Sequence, residues 1–167
     1  MTTTKQGQTK SEKPPRTAVL YVSHLGTPET IWNYIRIRHA LNANYDLWWV
    51  WQGGIVRRRL AKLPVRTFEI TSDRLEHWRS VMNGNGIVPG NGHILTLSFA
   101  RHYQYEHYWF IEYDVRFTGN WQRVFDLVHH SDADLISAFL TSPFSDESWY
   151  HWDSIDLPWE QLAYSFN

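Results

Sequence analysis

His107-Tyr108-Trp109-Phe110-Ile111-Glu112-Tyr113-Asp114-Val115 is the stretch that decides the fold. A short apolar run bounded by polar residues predicts a strand buried on both faces, as in a parallel sheet. Alternation along a strand puts Glu112 and Asp114 on one side and Tyr113 on the other. Two carboxylates where a buried strand surfaces are costly unless a cation answers them. A divalent metal is the simplest answer.

Working upstream, residues 93–105 fit strand or helix by pattern alone. Helix is expected, because a parallel strand that follows needs a crossover. The stretch 83–92 holds four Gly, three Asn and a Pro and reads as a loop. Val65 to Ile70 is a strand by composition, and Thr71-Ser72 then caps a helix with Leu75, Trp78 and Met82 on one stripe. Further back, Thr17 to Ser23 and Asp46 to Trp51 are strands around a helix that runs to about Leu41. Thr27 suits its N-cap, Pro28 its first position and Glu29 its first turn. Its buried residues are expected to be Ile31, Tyr34, Ile35 and Leu41.

Downstream, Asn120 caps a helix whose Trp121, Val124, Phe125 and Val128 share one face, and Asp134 to Leu140 reads as another buried strand. Alternating β and α elements predict an α/β fold, a mostly parallel sheet with helices on both faces. Residues 1–16 are polar and basic and read as a disordered tail, 17–145 as the folded domain, and 146–167 as an acidic, aromatic segment.

The 167 residues suffice for one domain with a substantial core. With no Cys there is neither a disulfide framework nor a thiolate site. The absence of Cys and of a signal-type apolar stretch points to the cytoplasm, and no apolar run has membrane-spanning length. Residues 1–101 carry 14 Lys and Arg against 6 Asp and Glu, and residues 102–167 carry 2 against 11. That division argues against a uniform nucleic-acid-binding face. It suits either a basic half that meets phosphates beside an acidic half that meets a metal, or simple neutralisation within the fold.

In open α/β sheets ligands bind beyond the carboxyl ends of the strands. Ser23-His24, Trp51-Gln52 and Glu112-Tyr113-Asp114 therefore mark three candidate positions. One or two carboxylates plus ligand phosphates is the usual Mg²⁺ arrangement. Ser23 and His24 are equally explained by a turn closing onto the helix cap, and Trp51 by core packing. Asn91 and His93, in and after the Gly-rich loop, stand where backbone N–H groups can meet an anion at a helix start, although a surface loop explains them too. Arg57-Arg58-Arg59 reads as a solvated helix face, and His102, His107, His129 and His130, lacking a zinc-ligand pattern, as structural.

The order of elements, ending in a hydrophobic strand that delivers Glu112-Tyr113-Asp114, resembles the nucleotide-sugar-dependent glycosyltransferases of the GT-A fold. The string WFIEYDVRFTGNW, with PGNGH before it and ADLISAF after it, resembles a poorly characterised branch of such transferase-like proteins. The resemblance covers roughly residues 17–145. It implies a GT-A/Rossmann-like domain in which an Asp-x-Asp-type motif holds Mn²⁺ or Mg²⁺ against the donor diphosphate. Here Glu112 replaces the first Asp, leaving Asp114 the stronger ligand. It also implies that Ser23, His24 and Trp51 face the donor, with Asn91 and His93 as further donor-side candidates. The partners it implies are a nucleotide-sugar donor and a carbohydrate or other hydroxyl acceptor.

Asp146, Glu147, Trp149 and Trp152 are acceptor-side candidates, and no residue is singled out as catalytic base. Such domains continue well past the strand after the metal motif, so the chain reads as incomplete at its C-terminus or as a short form that binds donor without turnover. A non-catalytic carbohydrate- or protein-binding module and a metal-dependent phosphohydrolase or nucleotidyltransferase are the alternatives.

Overall fold

The computed structural model describes residues 17–52, 60, 63–82, 92–128, 133 and 136. The chain divides into two compact units, Met1–Asp126 and Leu127–Asn167. Of the expected buried strand 134–140 only Ile136 is described, outside any regular element and 42% exposed, and the Arg57–Arg59 run lies outside the described residues.

The described strands are β1 (Thr17–Val22), β2 (Tyr45–Gln52), β3 (Arg66–Ile70) and β4 (His107–Glu112). They form one sheet in the order β3-β2-β1-β4, every pair parallel. Among the described residues the helices that accompany them are α1 (Pro28–Ala40), α2 (Ser72–Glu76), α3 (Gly92–Ala100) and α4 (Trp121–Val128), and Leu60 is also helical. The expected α/β fold is the observed one.

Alternation along the strands divides the core into two layers. On one face Val19, Tyr21, Leu47, Trp49, Trp51 and Ile111 pack with Tyr34 and Ile37 of α1 and Trp121 and Phe125 of α4. On the other, Ala18, Leu20, Val50, Phe68 and Ile70 pack with Leu75 of α2 and Ile94, Leu95 and Phe99 of α3. Helices therefore cover both faces. Aromatic contacts join each layer: Trp49 meets Tyr21 edge-on and Tyr34 at a tilt, both at 5.1 Å, and Phe99 meets Trp48 and Phe68 edge-on at 5.2 Å.

Three expectations change. In α1 the buried positions are Thr30, Asn33, Tyr34 and Ile37, so Ile35 sits about 100° past Tyr34 and is 39% exposed. Two of the four inward residues are polar, which is why apolar patterning misplaces the stripe. The helix after β3 stops at Glu76, and a 3₁₀ turn, Arg79–Val81, carries the chain on. Thr71 stands at its N-cap without a side-chain capping bond, yet Trp78 and Met82 still pack on the same layer as Leu75. Finally, β4 is not buried on both faces: Tyr108, Trp109 and Phe110 are half-buried, and Ile111 alone in the strand is fully so. Among the described strands β4 has one neighbour, β1, and this marginal position leaves its side chains partly open.

Candidate functional site

β1 and β4 are neighbours in space but far apart in sequence, while β2 and β3 lie on the other side of β1. Strand order reverses here, and the crevice beyond such a switch is where open α/β sheets bind ligands. Val22 pairs with Glu112, so Ser23 and His24 leave the sheet beside Glu112, Tyr113 and Asp114. The His24 ring stands edge-on to Tyr113, centroids 5.0 Å apart at 88°. All three candidate strand ends adjoin, because the Ser23 N–H also donates to the Val50 carbonyl at 3.0 Å, next to Trp51.

The acid pair is built differently from the alternating strand expected. β4 ends at Glu112, and Tyr113-Asp114 form a turn closed by the Val115 N–H donating to the Glu112 carbonyl at 3.1 Å. Tyr113 keeps its strand-like side, packing on the α1 layer, but strand alternation no longer assigns a side to Asp114. Both carboxylates are exposed. Water solvates them, so burial does not by itself demand a cation, which corrects the premise of the sequence reading.

What holds Asp114 in place is α1. Asn33 donates its side-chain amide to the Val115 carbonyl at 3.2 Å, and Arg36 donates to the Phe117 carbonyl at 2.9 Å. The Tyr21 hydroxyl lies 3.0 Å from the Thr30 carbonyl, its main acceptor, and 3.4 Å from that of Tyr113. Burial pushes this hydroxyl above the ordinary tyrosine range, against a hydrogen bond with Asn33 and the nearby Arg116 charge, which pull it down, while Asp114 pushes it up. Arg116 itself donates to the Tyr113 carbonyl at 2.6 Å and to the Val115 carbonyl at 3.3 Å. A cation and a carboxylate therefore flank one short turn.

The start of α1 lies in the same crevice, and its amides are already used. Pro28 has none, the Glu29 N–H serves its own carboxylate, Thr30 N–H reaches Thr27 Oγ1 at 3.4 Å, and Ile31 N–H reaches the Thr27 carbonyl at 3.0 Å. The backbone N–H and the Thr27 hydroxyl hold the Glu29 carboxyl below its ordinary range. The exposed Glu29 carboxylate adds negative charge at this helix start.

Ser23 is buried, and its hydroxyl donates to the Leu25 carbonyl at 2.7 Å while accepting the Leu25 N–H at 3.0 Å. It closes the turn into the α1 cap, leaving His24 as the exposed side chain there. Trp51 is buried in the α1-side layer, and its indole N–H has no partner among the described residues. His93 is exposed at the second position of α3, whose far end leads through residues 101–106 into β4. Asn91, Asp146, Glu147, Trp149 and Trp152 lie outside the described residues.

Among the described residues no three His, Cys, Asp or Glu side chains gather into a metal-ligating group. Glu112 and Asp114 are oxygen donors of the type that a hard divalent ion takes together with phosphate and water. Sequence reasoning missed Asn33 and Tyr21, the groups that fix the turn. An Asn on the buried side of a helix was the available signal. No helix among the described residues is long and apolar enough to cross a membrane. Comparisons with protein-family models, with characterised proteins and with solved structures returned no match for this chain.

Proposed function

We propose that this is a GT-A-like domain that binds a nucleotide-diphosphate sugar through a divalent metal at Asp114 and Glu112, and transfers the glycosyl group to a hydroxyl acceptor. The observation that carries the reading is the switch point itself. It sets an exposed acid pair at the end of β4 beside the end of β1, while the helix start opposite is capped by Thr27 and carries the exposed Glu29 carboxylate. A site without free helix amides suits metal-mediated rather than helix-mediated diphosphate binding. When bound, Mn²⁺ or Mg²⁺ would supply Lewis-acid stabilisation of the diphosphate leaving group. Asp114 and Glu112 would hold it, Arg116 would add positive charge at the same turn, and Tyr113 with His24 would wall the β1 side. Asn33 and Tyr21 would keep the turn from moving as charge develops.

Product analysis tests the reading. Incubation with uridine- and guanosine-diphosphate sugars, Mn²⁺ and a panel of saccharide acceptors is expected to give free nucleoside diphosphate and a glycosylated acceptor in equal amounts. Release of phosphate or pyrophosphate instead would assign a phosphohydrolase or nucleotidyltransferase.

A second reading, a carbohydrate-binding module without turnover, is favoured by Trp32. It is 59% exposed on α1, and the Arg36 guanidinium lies 4.9 Å from its ring centroid, fixing a flat apolar face in solvent. That reading predicts glycan binding that survives chelator and is lost in Trp32→Ala.

A further inference from the structure

Across the sheet from α1, the chain from α2 and the end of α3 meet through two crossed Arg–His pairs. Arg74 Nε donates to His102 Nε2 at 3.4 Å, and Arg101 Nη1 lies 2.9 Å from His77 Nε2. We propose that Arg74, His77, Arg101 and His102 form a binding site for a phosphate-class anion, tighter at acidic than at alkaline pH.

A guanidinium only donates, so each facing imidazole nitrogen must present its lone pair. His102 confirms the tautomer, because its Nδ1 lies 2.8 Å from the Ser98 carbonyl and must carry the proton. Two strong donors are thus spent on neutral imidazoles, weaker acceptors than a phosphate oxygen. The side chains are braced from behind. Arg74 lies over Phe68 at 4.4 Å, the His102 ring meets Phe68 at 5.3 Å, and His77 meets Trp78 at 4.9 Å.

Carboxylates nearby are otherwise engaged or unbonded to the four. Glu76 takes Arg79 at 2.6 Å, and Glu69 offers Arg74 its backbone carbonyl. The other charged groups on these elements are Asp73 on α2, His93 on α3 and Arg66 on β3, the last paired with Asp46. Among the described residues the bonds of the four run to ring nitrogens and carbonyls, so the cationic charge has no bonded carboxylate. An arriving anion would take the Arg donors, and each freed imidazole can then bind a solvent proton and donate as well. Histidine changes charge between pH 5 and 8, which sets the direction of the pH effect.

The test is a two-dimensional NMR titration of the full chain with pyrophosphate and with sulfate at pH 6 and pH 8. Sulfate keeps its charge across that range and isolates the histidines. Shifts centred on residues 74, 77, 101 and 102 are expected, with sulfate bound about tenfold more tightly at pH 6. The double variant Arg74→Gln/Arg101→Gln should lose binding at least tenfold, and His77→Gln/His102→Gln should lose the pH dependence with the fold intact. Asp114→Asn should change neither, which separates this site from the β1–β4 crevice. Co-sedimentation with phosphatidylglycerol vesicles that requires the same four residues would identify a headgroup as source, and pyrophosphate binding alone a free anion. Absence of saturable binding to any probe, or binding indifferent to the Arg variants, overturns the proposal.

Discussion

The Asn33 side-chain amide donates to the Val115 carbonyl at 3.2 Å, joining α1 to the turn that carries Asp114 across 82 positions of sequence. Asn33 is 1% exposed, and replacing it leaves Arg116 as the side-chain donor to the Val115 carbonyl. Asn33→Ala is expected to cost about 0.5–1.5 kcal/mol in urea denaturation. Amide exchange over residues 113–117 should quicken more than in β1. Uniform exchange changes would show that Asn33 does not hold the turn.

Phe99 and Ile35 make opposite predictions. Phe99 is fully buried and touches Trp48, Phe68, Tyr103, Tyr105 and Tyr108 through its ring. Phe99→Ala should destabilise by about 3–5 kcal/mol. Ile35 faces solvent, and Ile35→Ala should stay within about 0.5 kcal/mol. Thermal or urea unfolding of the two variants settles both.

These two residues also mark what the sequence made legible. Short continuous apolar runs around Leu20, Trp49 and Ile111 announce strands, and the spacing between them requires helical crossovers, so the parallel sheet follows from patterning alone. The phase of α1 does not, because Thr30 and Asn33 are buried for their hydrogen bonds to the neighbouring loops rather than for apolar area. Strand ends are legible only to within a residue or two. Tyr113-Asp114 read as strand because Tyr113 packs like one, although the Val115 N–H has already closed the turn. The meeting of His24 with Tyr113 depends on strand order, which short-range pattern does not encode.

Asp46 anchors the amino end of the sheet. It accepts from the Tyr105 hydroxyl at 2.8 Å and pairs with Arg66, while the Trp48 indole donates to the same hydroxyl at 3.2 Å. Groups in one such network do not act additively. A double-mutant cycle of Asp46→Asn and Tyr105→Phe should return a coupling of about 0.5–3 kcal/mol. A value near zero would mean that solvent replaces the bond at no cost.

Alkaline pH should unfold the protein in a defined window. Burial pushes Tyr34 up to about 12, and burial with the Asp126 and Asp46 carboxylates does the same for Tyr45 and Tyr105 respectively. The unfolded chain releases these protons near pH 10, so the native state binds more of them between about 10 and 12. Stability is therefore fully present below pH 10 and falls as pH rises through 12. Denaturation midpoints from pH 8 to 12 should be flat and then drop, with a shallower drop in Tyr34→Phe.

The central claim is that Asp114, at the switch between β1 and β4, supports metal-dependent binding of a nucleoside diphosphate. Calorimetric titration of uridine and guanosine diphosphates, with and without Mn²⁺, tests it in the wild-type chain and in folded Asp114→Asn. Binding of one nucleotide that requires Mn²⁺ and weakens at least tenfold in the variant, about 1.4 kcal/mol, is the expected result. Binding of neither nucleotide by the folded wild-type chain with Mn²⁺, or binding indifferent to both metal and Asp114, would contradict it.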